Sequence, residues 1–194
     1  MIRTKTLTSL FCLVVVLFDG CSGKRGNESA GTKGTIAESA GPRFQVDGAF
    51  QKQLSATFEE YLGLKDALVA SDSEAARAAA TQARSVLTTV DGSILSGAAQ
   101  NDWNAYRDGM DRALDAIALE SDLEKQRALF SDLTEFMYES VKAFGLGGSV
   151  AFYEYCPMAF DNEGGYWLSD SETIRNPYFG DKMLTCGTVQ EKLQ

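Results

Sequence analysis

Between Phe50 and Phe144 apolar side chains recur at three- and four-residue steps in four successive runs, and this rhythm constrains the fold more than any other feature of the chain. Phe50, Leu54, Phe58, Tyr61, Leu64 and Leu68 predict a first helix that ends near Ala70. A second helix, running to about Val90, carries Ala76, Ala79, Ala80 and Ala83 ahead of Val86, Leu87 and Val90, a face small enough for a neighbouring helix to approach closely. Trp103, Tyr106, Met110, Leu114 and Ile117 form the third stripe, and Leu123, Phe130, Leu133, Met137, Val141 and Phe144 the fourth. Ser71-Asp72-Ser73-Glu74 and Ser121-Asp122-Leu123-Glu124 each read as a capping box, in which the serine hydroxyl and the glutamate satisfy backbone donors at a helix start. Asp91-Gly92 stops the second helix. Mostly short connections force antiparallel neighbours, so the expected fold is mainly α, an antiparallel (up-down) four-helix bundle.

After Gly145-Leu146-Gly147-Gly148 the pattern changes. Ser149 to Tyr155 is rich in Val, Phe and Tyr and predicts a short strand, while Gly164-Gly165, Asn176-Pro177 and Gly180-Asp181 punctuate the rest of the tail with turns. The C-terminal part is therefore expected as an irregular, short β segment.

The chain opens with an address. Arg3 and Lys5 precede Leu7 to Phe18, a mostly apolar run, and together residues 1–20 read as an export signal. As a helix the run would reach only ~18 Å, short of a ~30 Å hydrocarbon core. Gly20-Cys21 resembles the cleavage box of a bacterial lipoprotein, from which Phe18 and Asp19 depart. Lipidation of Cys21 is one reading, and plain secretion with Cys21 as a free or paired thiol is the other. Both take the chain out of the cytoplasm, and the expected place is the bacterial cell envelope, membrane-anchored and facing the periplasm. Residues 21–46, rich in Gly, Ser and Thr, are expected to be a flexible tether, and residues 47–194 the helical domain with its Cys/Met tail.

Among the 194 residues there is no histidine. Ser-His-Asp and Cys-His nucleophile pairs, His-based zinc sites and the facial iron triad are thereby excluded, since each needs an imidazole as base or ligand. A net charge of −9 argues against nucleic acid as a partner. No pair of carboxylates stands apart from the rest, so the expectation is a protein that is not an enzyme.

The remaining chemistry is sulfur. Cys156-Pro157-Met158 and Met183-Leu184-Thr185-Cys186 place two thiols and two thioethers in one tail. These are soft donors that suit Cu(I), with Ag(I) expected to behave similarly. In an extended segment Cys156 and Met158 face one side with α carbons about 6–7 Å apart, and Met183 and Cys186 share one side of a helical turn. Zinc fits less well, because its third and fourth ligands would have to be carboxylates such as Asp161 or Glu163. The competing reading makes Cys156 and Cys186 a structural disulfide worth about 3–4 kcal/mol, and Met158 and Met183 gap-filling residues. Tyr153, Tyr155, Tyr166, Trp167, Tyr178 and Phe179 read most simply as an apolar cover joining the tail to the helices, with a ligand-shielding cage as the alternative. Asp161-Asn162-Glu163 reads as a solvated turn, and Arg175 as an anchor for an acidic helix end.

The runs Phe152-Tyr153-Glu154-Tyr155-Cys156-Pro157-Met158-Ala159, Trp167-Leu168-Ser169, Ile174-Arg175-Asn176-Pro177-Tyr178-Phe179-Gly180 and Met183-Leu184-Thr185-Cys186-Gly187 resemble the domain-of-unknown-function 3347 family. Ala67-Leu68-Val69 before Ser71-Asp72, and Gln126-Arg127 with Phe130, extend the resemblance into the helices, over roughly Phe50 to Val189. Such domains are similar to accessory regions of bacterial copper and silver efflux adaptors and also occur alone in small exported proteins. The resemblance implies metal handling, with Cys156, Met158, Met183 and Cys186 as the positions carried over and a heavy-metal efflux adaptor or another periplasmic protein as partner. Where the related motif of efflux adaptors has His after Cys-Pro-Met, this chain has Ala159, and it is expected to be a stand-alone version without an adaptor body. The function expected from the residues and the resemblance together is a membrane-tethered Cu(I) or Ag(I) binding protein that buffers metal or passes it to an efflux system. The alternative is a disulfide-stabilised helical interaction module that binds no metal.

Overall fold

A computed structural model describes residues 36–194. The expected signal peptide over 1–20, Cys21 and the expected tether as far as residue 35 lie outside the described residues. Within them the chain is mainly helical with a small C-terminal sheet. Four long helices, α1 (Gly48–Val69), α2 (Ser73–Leu87), α3 (Gly97–Leu119) and α4 (Leu123–Phe144), precede strands β2 (Ala151–Cys156), β3 (Gly165–Ser169) and β4 (Thr188–Leu193), and a two-residue strand β1 (Ala37–Glu38) comes before them all. Among the described residues no helix is long and apolar enough to cross a membrane.

The four stripes are the core. Phe50, Leu54, Phe58, Tyr61, Leu64 and Leu68 are buried along α1, and Trp103, Met110, Leu114 and Ile117 along α3. Phe50, Trp103 and Phe144 meet edge to face, with centroids 5.0–6.1 Å apart. Ala76, Ala80 and Ala83 of α2 are buried, whereas Ala79 is only partly so. At the facing surfaces of α3 and α4 a Cβ on Gly109 would lie 2.6 Å from the Phe136 ring, so only glycine permits that approach. Arg84 of α2 pairs with Asp111 at 2.7 Å and with Asp115, both on α3.

The capping register differs from the expected one by a residue. Asp72, not Ser71, accepts from the Ala75 amide at 2.9 Å and caps α2, and Asp122, not Ser121, accepts from Lys125 at 3.0 Å and caps α4. Ser71 is instead used to end α1. It adopts a left-handed φ of 57°, and the following Asp72 amide closes back on the Ala67 carbonyl at 3.0 Å. A connection this short makes one residue terminate a helix and the next begin another. The second helix also stops at Leu87, short of the expected Val90.

The tail is more regular than its sequence suggests. The strands form one sheet in the order β1-β4-β2-β3, with β2 antiparallel to both neighbours and β1 parallel to β4. β1 comes from the stretch assigned by composition to the tether. Beyond it, the Arg43 and Phe44 amides donate to the Lys142 and Ala143 carbonyls at 3.1 and 2.8 Å, and the Phe44 ring stacks on Phe144. The packed part of the chain therefore begins before residue 47. Tyr61 joins helices to sheet: its hydroxyl shares a 2.7 Å hydrogen bond with Thr134 of α4 and accepts from the Leu168 amide of β3 at 3.0 Å.

Candidate functional site

Three segments converge at the end of β2. The strand alternates so that Phe152, Glu154 and Cys156 are buried while Tyr153 and Tyr155 are only partly so. Pro157 and Met158 are exposed, and the chain then turns through Phe160, Asp161 and Asn162, all three with positive φ (50°, 57° and 73°). Consecutive non-glycine residues in that region cost roughly 1–2 kcal/mol each, and such outliers collect at binding sites and switches. The expectation of a solvated turn at Asp161-Asn162-Glu163 holds for exposure and misses this backbone strain.

The loop between β3 and β4 brings Met183 and Cys186 to the same region. Its organiser is Asn176, fully buried. The Asn176 Nδ2 donates to the Cys186 carbonyl at 2.8 Å, its Oδ1 accepts from the Tyr178 amide at 2.8 Å, and its own amide donates to the Leu184 carbonyl at 2.9 Å. The loop is fastened to the helices by Arg127, also buried, which donates from Nε to the Pro177 carbonyl at 2.9 Å and from Nη2 to Ser71 Oγ at 3.0 Å and the Leu68 carbonyl at 3.3 Å. Arg175, expected to be the anchor, is exposed and forms no ion pair among the described residues. The anchoring arginine is in α4 rather than in the loop itself.

The predicted sulfur residues divide into two pairs. Cys156, fully buried, and Cys186, half-buried, are joined as a disulfide with α carbons 5.7 Å apart. Met158 and Met183 line one open cleft of about 460 Å³, together with Phe160, Tyr178, Phe179 and Arg127. In the oxidised pair neither sulfur is a thiolate and neither cysteine lines the cleft, so the sulfur residues that line it are the two neutral thioethers. Asp161 also lines that cleft, but among the described residues no group of three or more Cys, Asp and Glu is placed to hold a metal ion.

Of the tail aromatics, Tyr178 and Tyr153 stack or pack on helix residues, whereas Tyr166 is exposed and stacks only within the sheet. Tyr178 packs against Phe130 of α4 at 6.2 Å and edge-on against Trp167 at 5.9 Å, and its hydroxyl donates to the Tyr166 carbonyl. Tyr153 stacks on Tyr138 of α4.

Glu154 was not singled out by any sequence signal. It is fully buried beside Cys156 on the strand, and neither carboxyl oxygen has a hydrogen-bond partner; the indole N–H of Trp167, its cross-strand neighbour, is likewise unpartnered. Burial pushes the Glu154 carboxyl up to about 8, against the opposing pull of the Lys65 charge and with a further push from Asp170. The group is therefore a neutral acid at neutral pH.

No curated protein and no solved structure matches the chain. A family described as "Protein of unknown function (DUF3347)" matches residues 57–148, from the middle of α1 to just past α4, and stops before the sulfur-bearing tail. The helical part of this chain is thus similar to that family, over a shorter span than the resemblance from Phe50 to Val189 led us to expect.

Proposed function

We propose that the protein is an extracytoplasmic carrier of a soft monovalent metal, Cu(I) or Ag(I), whose full site opens when Cys156–Cys186 is reduced. The observation that supports this reading is that Met158 and Met183, from separate segments of the tail, line a single cleft, and each stands within three residues of one cysteine of the Cys156–Cys186 pair. Once reduced, the cysteines have α carbons close enough for both sulfurs to reach one ion, and the thioethers complete a soft shell without histidine. Met158, Met183, Cys156 and Cys186 hold the cargo, Phe160 and Tyr178 limit its contact with water, and transfer proceeds by stepwise exchange of sulfur ligands. No catalytic turnover is involved. In this reading the helices form an antiparallel up-down bundle, Cys21 carries the lipid that fixes the protein to the envelope, and the recipient is a heavy-metal efflux adaptor or another periplasmic protein.

The second reading is a disulfide-closed helical interaction module that takes no metal, and the Cys156–Cys186 bond itself favours it. Anaerobic competition against a Cu(I) chelator separates the two. The carrier reading expects the reduced protein to withdraw Cu(I) and Cys156→Ser or Met183→Leu to weaken that withdrawal. No withdrawal by the reduced protein leaves the interaction module.

A further inference from the structure

A column of tyrosines runs from Tyr138 on α4 across one face of the sheet to Tyr166 and Tyr155. Tyr138 stacks on Tyr153 with centroids 3.9 Å apart and planes 19° from parallel, Tyr153 stacks on Tyr166 at 4.7 Å and 10°, and Tyr155 tilts onto Tyr166 at 4.4 Å. The outer end is open, since Tyr166 is 41% exposed. The α4 end, where Tyr138 is partly buried, is built differently from the rest. The Tyr138 hydroxyl donates to a carboxylate oxygen of Glu191 on β4 at 2.6 Å and accepts from Lys142 Nζ at 2.9 Å, and Lys142 lies 3.6 Å from the other Glu191 oxygen. Of the four hydroxyls, only that of Tyr138 has a side-chain hydrogen-bond partner among the described residues.

Packing alone does not require this arrangement, because phenylalanine would fill the same space. A phenol becomes a far stronger acid on losing an electron, so its oxidation proceeds easily only where a base already holds the hydroxyl proton. The short, charge-assisted bond to Glu191 provides that base at one ring of the column. The near-parallel rings connect that ring to the exposed Tyr166.

We infer that the column is a one-electron relay: an oxidant of the organic-radical class takes an electron at Tyr166, and the electron deficit settles on Tyr138, whose hydroxyl proton passes to Glu191. One electron goes to the oxidant, the Tyr138 O–H bond breaks and a Glu191 O–H bond forms. The products are the reduced oxidant, a Tyr138 phenoxyl radical and a neutral Glu191 acid. The inference is independent of metal binding.

The test uses the full chain and photo-oxidised ruthenium tris(bipyridine) as the one-electron probe, with transient absorption and electron paramagnetic resonance of the phenoxyl radical as readouts. The wild-type protein is expected to give one long-lived radical. Tyr138→Phe keeps the stacked ring and removes the proton, and Glu191→Gln keeps the shape and removes the base; each is expected to shorten the radical lifetime at least about tenfold, the scale of one charge-assisted hydrogen bond. Tyr166→Phe is expected to slow formation of the same radical. A lifetime unchanged in Tyr138→Phe, or lost only in Tyr106→Phe, overturns the assignment. Should a variant fail to fold, the wild-type protein still decides, because radical formation must be slower in deuterium oxide and equal rates in the two solvents overturn the proton transfer.

Discussion

Arg127 Nε donates to the Pro177 carbonyl at 2.9 Å, and this bond holds the Cys186-bearing loop to α4. The same guanidinium reaches the end of α1 through Leu68 and Ser71, so one buried side chain joins three segments that are distant in sequence. Arg127→Ala leaves the Pro177 carbonyl without a donor, while Leu68 keeps the Ser71 amide, and is expected to lower unfolding stability by roughly 2–4 kcal/mol. Arg127→Lys is expected to recover less than half of that loss, because an ammonium cannot reproduce the planar fork. Urea denaturation midpoints of the three proteins check this, and a Lys variant as stable as the parent contradicts it.

Gly180 lies under the same junction. With φ of 55°, it places its missing Cβ 2.5 Å from Ser71 Oγ and 2.8 Å from the Val69 carbonyl oxygen, which is backbone and cannot swing away. Gly180→Ala therefore combines an unfavourable backbone conformation with a clash, and the expected loss is about 2–3 kcal/mol. Thermal unfolding measures it.

The buried acid makes stability depend on pH in an unusual direction. Unfolded, Glu154 releases its proton in the ordinary carboxylate range; folded, it keeps the proton up to about 8. Its contribution is fully present below the ordinary range and is lost as pH rises to about 8, at roughly 1.4 kcal/mol per pH unit between the two. Glu154→Gln, which cannot ionise, is expected to remove that slope. Parallel curves for parent and variant from pH 5 to 8 would show that the carboxyl finds a partner the structure does not contain.

Cys156 and Cys186 are 30 residues apart, and closing a loop of that length restricts the unfolded chain by about 3–4 kcal/mol in the chain-entropy model. Reduction is expected to lower the denaturation midpoint accordingly while leaving the helical circular dichroism largely intact, because the helical core does not depend on the bond. Loss of helical signal on reduction alone contradicts that separation of helices from tail.

The parts of the fold written in apolar periodicity were legible in the chain. The stripe from Phe50 to Leu68 is buried residue for residue, because helical spacing alone decides which side of α1 meets its neighbours. What escaped depends on tertiary context. Ser71 and Asp72 are both good caps, and only the left-handed end of α1 gives the role to Asp72. β4 reads Thr-Val-Gln-Glu-Lys-Leu, polar and partly exposed, and becomes a strand because β2 and β1 flank it. The sulfur residues stood out by their chemistry; that Asn176 and Arg127 hold the loop of Met183 and Cys186 in place did not, since buried hydrogen-bonding residues carry no local pattern. Glu154 looked like any strand acid until its partners across the sheet were known.

The proposed carrier function requires sulfur to meet metal in the reduced tail. The most direct measurement is X-ray absorption at the copper edge on anaerobically reduced, Cu(I)-loaded protein. The predicted spectrum contains sulfur scatterers alone, with their number falling in Met158→Leu and Met183→Leu. A first shell of nitrogen or oxygen, or a sulfur shell unchanged in both variants, contradicts the proposed site.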